Sequence, residues 1–159
     1  MSGLKSIVVA AIAALWVSHV AFADMAGPLN LFSIRAAYDH PVAAVQTTFD
    51  AEAGQAVRVS IYKSEDAFLQ TAYSKREGQI DASGVAIVPL NNLAPGEYAF
   101  AAYLDENGDG VLNRGKILGR PKEPVAFSNG VKPKLGKPDF NDAKVTVEPD
   151  SVVVITLDN

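Results

Sequence analysis

The segment from Glu97 to Leu104 constrains the fold of this chain more than any other. Tyr98, Phe100, Ala102 and Leu104 fall on one side of an extended backbone, and Ala99, Ala101 and Tyr103 fall on the other. A strand that is apolar on both faces must be covered on both, so it belongs in the middle of a sheet. Its surroundings show the same period. Val45, Thr47 and Phe49 alternate, Glu52-Ala53-Gly54-Gln55 marks a turn, and Val57, Val59 and Ile61 alternate against Arg58, Ser60 and Tyr62. This pattern reads as a half-buried hairpin. Val85, Ile87 and Val88 predict a further strand ending at Pro89, and residues 143–148 and 152–157 predict a last pair around Pro149-Asp150.

One stretch reads differently. Ser64 is a candidate N-cap, Glu65 and Asp66 follow it, and Phe68, Leu69, Ala72 and Tyr73 fall at helical spacing before Lys75, Arg76 and Gly78. Acids first, bases last and glycine beyond predict a short helix. About seven short strands, one short helix and a long loop over 105–140, without alternation of helix and strand, predict an all-β antiparallel sandwich over residues 42–159. Phe49, Phe68, Phe100, Phe127 and Phe140 read as core. Residues 24–41, with Pro28 and Asp39-His40-Pro41, read as an N-terminal extension that docks on the domain.

At the N-terminus, Lys5, the apolar run from Ile7 to Val20, and Ala21-Phe22-Ala23 have the three parts of a secretory signal peptide, residues 1–23, cleaved before Asp24. The alternative is a retained membrane anchor, but about 14 apolar residues are short of the roughly 20 needed to span a bilayer. The expectation is a periplasmic or secreted protein with no membrane span in its mature form. It cannot be a lipoprotein, because the chain has no cysteine. Removing residues 1–23 takes one base, Lys5, from the 14 and none of the 18 acids, so the mature chain is net acidic. It keeps one histidine, His40, and no tryptophan. That inventory excludes disulfides, Cys-ligated metals and a thiol nucleophile, and serves zinc or a catalytic triad poorly. No Gly-rich phosphate cradle opens a helix.

The most informative stretch is Asp105-Glu106-Asn107-Gly108-Asp109-Gly110-Val111-Leu112-Asn113. Oxygen-bearing side chains at its first, third, fifth and ninth positions, with glycine at the sixth, reproduce the front half of a calcium loop. Alternate residues turn their oxygens toward one hard cation, Gly110 permits the bend, and Val111 supplies its carbonyl. The twelfth position, where a bidentate Glu is expected, is Lys116, and a strand precedes the loop, so this is not an EF-hand. Glu123 can fold back as the missing acid. The candidate ligands of Ca2+ are therefore Asp105, Asn107, Asp109, Val111, Asn113 and Glu123, with weak affinity of roughly 10⁻⁴ to 10⁻³ M. The competing reading is an ion-free turn, because Asn-Gly and Asp-Gly build turns unaided. No other cofactor is expected.

Five motifs in order, Pro95-Gly96-Glu97-Tyr98, Tyr103 to Gly110, Leu118 to Pro124, Phe127-Ser128-Asn129 and Pro138-Asp139-Phe140, resemble the domain of unknown function family 2141, a family of exported bacterial proteins. The resemblance covers about residues 42–158. It implies a small β-sandwich of prealbumin or immunoglobulin-like type with no established activity. In that family the position of Asn113 is usually Asp, so this chain carries one ligand charge fewer.

Beyond the acidic loop, Arg114, Lys116, Arg120, Lys122, Lys132, Lys134 and Lys137 face a single acid, Glu123. This reads either as a basic lobe for an anionic partner or as a solvated loop offsetting an acidic domain. Nucleic acid is not expected, because there is no aromatic stacking stripe and the chain is acidic. The functional expectation is a non-enzymatic module that binds or scaffolds a cell-envelope component, whether glycan, anionic lipid or protein. The alternatives are a structural domain acting through a protein partner, and a hydrolase using the long-loop carboxylates.

Overall fold

The computed structural model describes residues 43–116, 119–132 and 136–156. The expected signal peptide, the extension over 24–41 and His40 lie outside the described residues. Among the described residues, eight strands form two sheets: β1 (Ala44–Thr48), β2 (Ala56–Tyr62), β3 (Ser74–Gln79), β4 (Val85–Pro89), β5 (Gly96–Asp105), β6 (Val125–Phe127), β7 (Lys144–Val147) and β8 (Val152–Thr156). A four-residue helix, α1 (Phe140–Ala143), precedes β7, and a 3-10 turn spans Ser128–Gly130. The smaller sheet has the order β4-β1-β8, and the larger has β3-β2-β5-β6 with β7 also on β5. The result is the expected β-sandwich, antiparallel throughout except for the parallel pairing of β1 with β8.

The central strand is β5. Ala99 is paired with Tyr62 of β2 and Lys144 of β7, and Ala101 with Ser60 of β2 and Phe127 of β6. β6 and β7 therefore share the edge of β5 opposite β2. One face of β5 sends Tyr98, Phe100, Ala102 and Leu104 between the sheets, where they meet Val57, Val59 and Ile61 of β2 and Val45, Val88, Val153 and Ile155 of the smaller sheet. The other face sends Ala99 and Ala101 outward into a second cluster with Tyr62, Phe68, Phe127, Phe140 and Ala143. All five phenylalanines expected in the core are buried.

Three expectations are corrected. The alternating segments around 45–49 and 57–61 are strands, but they do not pair as a hairpin. β1 lies in the smaller sheet and β2 in the larger, with the Glu52–Gln55 turn carrying the chain between sheets. The last two strands are divided in the same way, β7 on β5 and β8 on β1, across a turn with Asp150 in the left-handed region. Alternation reports which face is buried, and facing strands of a sandwich show the same phase as paired ones. Finally, residues 64–76 hold no helix. Phe68 and Thr71 bond back to Glu65 and Ala67, Leu69 takes φ 57°, and from Ser74 the chain is extended as β3. The helical spacing covers only a tight turn whose Phe68 plugs the outer cluster against Tyr62 and Phe140.

Ser128 closes the central strand. β7 pairs with β5 up to Ala99 and β6 begins at Ala101, so Phe100 falls between them. There the Phe100 N–H donates to the buried Ser128 hydroxyl at 2.9 Å, and that hydroxyl donates to the Ala143 carbonyl. Asn129, at φ 60°, adds a bond from Nδ2 to the Asp142 carbonyl at 2.8 Å. Ser128→Ala leaves two buried backbone groups without this partner. The expected loss is about 2–3 kcal/mol of unfolding free energy in urea titration, with the m-value unchanged.

Candidate calcium loop

The loop begins where β5 ends, at Asp105, whose side chain is buried on the outer side of the larger sheet. Its Oδ2 accepts Arg58 Nε at 2.7 Å and the Gly110 N–H at 2.9 Å. Arg58 projects from β2 and also pairs with Glu77 of β3 at 2.7 Å. Gly110 stands in the left-handed region at φ 78°, and a Cβ there would lie 3.5 Å from the Arg58 guanidinium, so the loop folds directly onto the arginine. The guanidinium holds the Asp105 carboxyl below its ordinary pKa against the opposing effect of burial, and the Gly110 N–H assists.

The remaining candidates form one network. Asn107 Oδ1 accepts the Asp109 N–H at 3.1 Å, and Asp109 Oδ1 accepts the Val111 N–H at 2.8 Å. Asp109 Oδ2 accepts two amide groups, Asn107 Nδ2 and Asn113 Nδ2, each at 2.9 Å. Asn113 Nδ2 also donates to the Val111 carbonyl at 2.9 Å. The Asn113 amide, with the Val111 and Asn107 groups, draws the Asp109 carboxyl below its ordinary pKa. Glu123 folds back across ten residues, and its Oε2 accepts the Asn113 N–H at 2.8 Å. Hydrogen bonds thus link Asn107, Asp109, Val111, Asn113 and Glu123, while Asp105 is bonded to Arg58 and to the Gly110 N–H between Asp109 and Val111.

Two atoms stand apart. Asp105 Oδ1 and Glu123 Oε1 are buried and accept no hydrogen bond. Their residues are 2% and 6% exposed, which makes an unpartnered carboxylate oxygen costly in both. Set against this, no group of three acidic, histidine or cysteine side chains is drawn together as a metal cluster among the described residues. The side chains that close around Asp109 are amide donors.

Of the basic residues after the loop, Lys134 lies outside the described residues. Residues 113–116 and 119–122 run side by side, with an antiparallel bridge between Arg114 and Pro121 flanked by Lys122 N–H to Asn113 O and Gly115 N–H to Arg120 O, both 2.8 Å. Beside the loop, a groove of about 210 Å³ on the outer face of the larger sheet is lined by Arg58, Ser60, Lys75, Glu77, Tyr103 and Gly110. Arg58 is the residue the sequence did not single out. Its only signal is a polar position alternating with Val57 and Val59, shared by any solvent-facing residue.

The profile of the family described as "Uncharacterized protein conserved in bacteria (DUF2141)" matches residues 47–155, and the chain belongs to that family. The match includes all six loop residues. No curated protein and no solved structure matches the chain.

Replacing Arg58 by Met removes the counter-ion of a buried carboxylate. In calcium-free buffer the expected cost is about 2–3 kcal/mol at pH 7, below the full buried-pair range because Arg58 is 30% exposed. The sign with pH follows from the lowered Asp105 pKa: its stabilisation is complete above the unfolded value of about 4 and is lost as pH falls through the lower folded value. The variant is expected to have a flatter acid limb in denaturant titrations below about pH 4. Equal stability of the two proteins at pH 7 would contradict the role assigned to Arg58.

Proposed function

We propose that this member of the family is an exported, non-catalytic β-sandwich module whose loop over 105–123 is ordered by one calcium ion, and which binds or scaffolds a cell-envelope component. The observation that carries the ion site is the pair of buried, unpartnered carboxylate oxygens, Asp105 Oδ1 and Glu123 Oε1, at the two ends of one network. A hard cation supplies what both lack. Calcium takes six to eight oxygens, and on this reading the loop closes on the ion to supply carboxylates from Asp105, Asp109 and Glu123 and the Val111 carbonyl. The Asn107 and Asn113 amides contribute Oδ1 once each turns about its terminal bond, exchanging donor for acceptor. Export is supported by the N-terminal sequence pattern. Among the described residues, no helix is long and apolar enough to cross a membrane. The non-catalytic reading is supported by the lack of cysteine, the scarcity of histidine and the structural engagement of the loop carboxylates.

A second reading has its own observation. The two amide groups already satisfy Asp109 Oδ2, which favours an ion-free loop in a structural domain that acts through a protein partner.

Thermal melts decide between them. With an affinity of roughly 10⁻⁴ to 10⁻³ M, calcium at about 10 mM is expected to add about 1.4–2.7 kcal/mol, raising Tm by roughly 4–10 °C. A chelator reverses the shift and Asp109→Ala abolishes it. Asn113→Asp, which replaces the competing donor with a carboxylate, is expected to tighten binding about tenfold or more by calorimetry. A melt indifferent to millimolar calcium leaves the ion-free reading.

A further inference from the structure

We infer that Asn107-Gly108 is a site of spontaneous deamidation, with water as the co-reactant, and that conversion there adds a carboxylate to the loop. The covalent step stands on the loop's own geometry. Its consequence for calcium rests on the reading above.

Two asparagines of the chain precede glycine, Asn107 and Asn129, and both are exposed. A following glycine has no Cβ to hinder its backbone nitrogen as it approaches the asparagine side chain. The structure separates the two sites. At Asn107, Oδ1 accepts the Asp109 N–H at 3.1 Å. That bond closes a ring of which the Asn107 Cγ and the Gly108 nitrogen are both members, so the side chain folds back over the nitrogen that must attack it. Oδ1 is also the atom on which negative charge develops during the attack, and the Asp109 N–H is a donor already aimed at it. The Gly108 N–H has no hydrogen-bond partner among the described residues. A Cβ at Gly108 would meet nothing within 4 Å, so hydroxide and water reach this nitrogen.

At Asn129 the same dipeptide is held apart. Its Nδ2 donates to the Asp142 carbonyl at 2.8 Å, which ties the amide to another element. Its ψ of 18° sets the Gly130 nitrogen well away from the Asn129 Cβ about the Cα–C bond. Closing a five-membered ring needs those two atoms nearly eclipsed. Asn129 must therefore break its bond and turn its backbone before it can react.

The step balances with water alone. The Gly108 nitrogen gives its proton to hydroxide and bonds to the Asn107 Cγ, and the Cγ–Nδ2 bond breaks. Nδ2 takes a proton from water and leaves as ammonia. A second water opens the cyclic imide at either carbonyl, giving aspartate or iso-aspartate. Both products carry a carboxylate where the amide stood. The Asn107 amide supplies one of the two donors to Asp109 Oδ2, so conversion removes that donor and sets two negative charges side by side. The calcium-free loop loses stability, and a cation in the loop gains a ligand charge.

The test is peptide mapping by mass spectrometry after the full chain has stood in mildly alkaline buffer. In native buffer, residue 107 is expected to convert about tenfold or more faster than residue 129, the cost of one extra broken bond at Asn129. In concentrated urea the two rates should converge, because the dipeptides are the same. Asn107→Gln should abolish the native-state conversion at that position, since a glutamine would have to close a six-membered ring. Equal native rates at 107 and 129, or conversion at 107 in urea but not in native buffer, overturns the proposal. Asn107→Asp supplies the product charge directly: its Tm in chelator should fall below that of the unmodified chain, and calcium should raise it further. An unchanged Tm in chelator overturns the assigned effect of the added charge. A lowered Tm that calcium does not restore, with conversion at 107 as expected, overturns the ion site and leaves the deamidation site standing.

Discussion

The ion pair between Arg58 and Asp105 fixes how the loop leaves the sheet. Asp105 is the last residue of β5 and has no exposed side chain, while Arg58 sits one strand away on β2 at 2.7 Å. The same guanidinium reaches Glu77, its register partner on β3, so one cation ties three adjacent strands across the outer face. Gly110 rests against that cation, and its N–H shares the Asp105 oxygen with it. A charge in the sheet therefore sets the loop's direction before any ligand is considered. A calcium ion would stabilise a loop already in place, in contrast to domains whose metal supplies the folding free energy.

The two-sided character of β5 divides the outer face of the larger sheet. Toward one end, Ala99 and Ala101 need cover, and the turn at Phe68, the 3-10 turn after Phe127 and α1 with Phe140 provide it. Ser128 joins this cover to the central strand by taking the Phe100 N–H at the one residue that β6 and β7 leave between them. Toward the other end the strands carry Arg58, Ser60, Lys75, Glu77 and Tyr103, which stay open as a polar groove. The acidic loop leaves the sheet at this open end through Asp105, and the chain returns to it through Glu123-Pro124. The apolar half holds the fold together and the polar half carries the charged elements.

What was legible in the sequence follows from the range of each signal. Alternation is local, so β1, β2, β4, β5, β7 and β8 were readable, and the two apolar faces of β5 announced its central place. Pairing is a long-range choice, so the partners of β1 and β8 were not. β3 was missed because it is an edge strand with Lys75, Arg76 and Glu77 and no fully buried residue, and such a strand carries no apolar period. The Asp105–Asn113 loop was visible because its oxygens are close in sequence, and the return of Glu123 could be anticipated because it is the nearest acid after them. Arg58 lies 47 residues from Asp105 and could not be assigned from spacing.

On the proposed calcium reading, the ion and the loop's own amides would compete for the same oxygens around Asp109. Without an ion, Asn107 and Asn113 donate to Asp109 Oδ2, and Asn113 donates again to the Val111 carbonyl. A cation ligated by those oxygens must displace all three bonds and turn both amides. At about 0.5–1.5 kcal/mol each, the displaced bonds oppose binding by roughly 1.5–4.5 kcal/mol, a factor of about ten to two thousand. That would weaken a sensor-type site of about 10⁻⁷ to 10⁻⁵ M to between about 10⁻⁶ and 10⁻² M, a span that includes the affinity of an extracellular module. A carboxylate at position 113 has no donor to give, so it would remove most of this competition while adding a charge. On that reading the asparagine would do more than lower the ligand charge: its amide would stand in for the ion at Asp109, while the unpartnered oxygens of Asp105 and Glu123 are the ones its bonds do not reach.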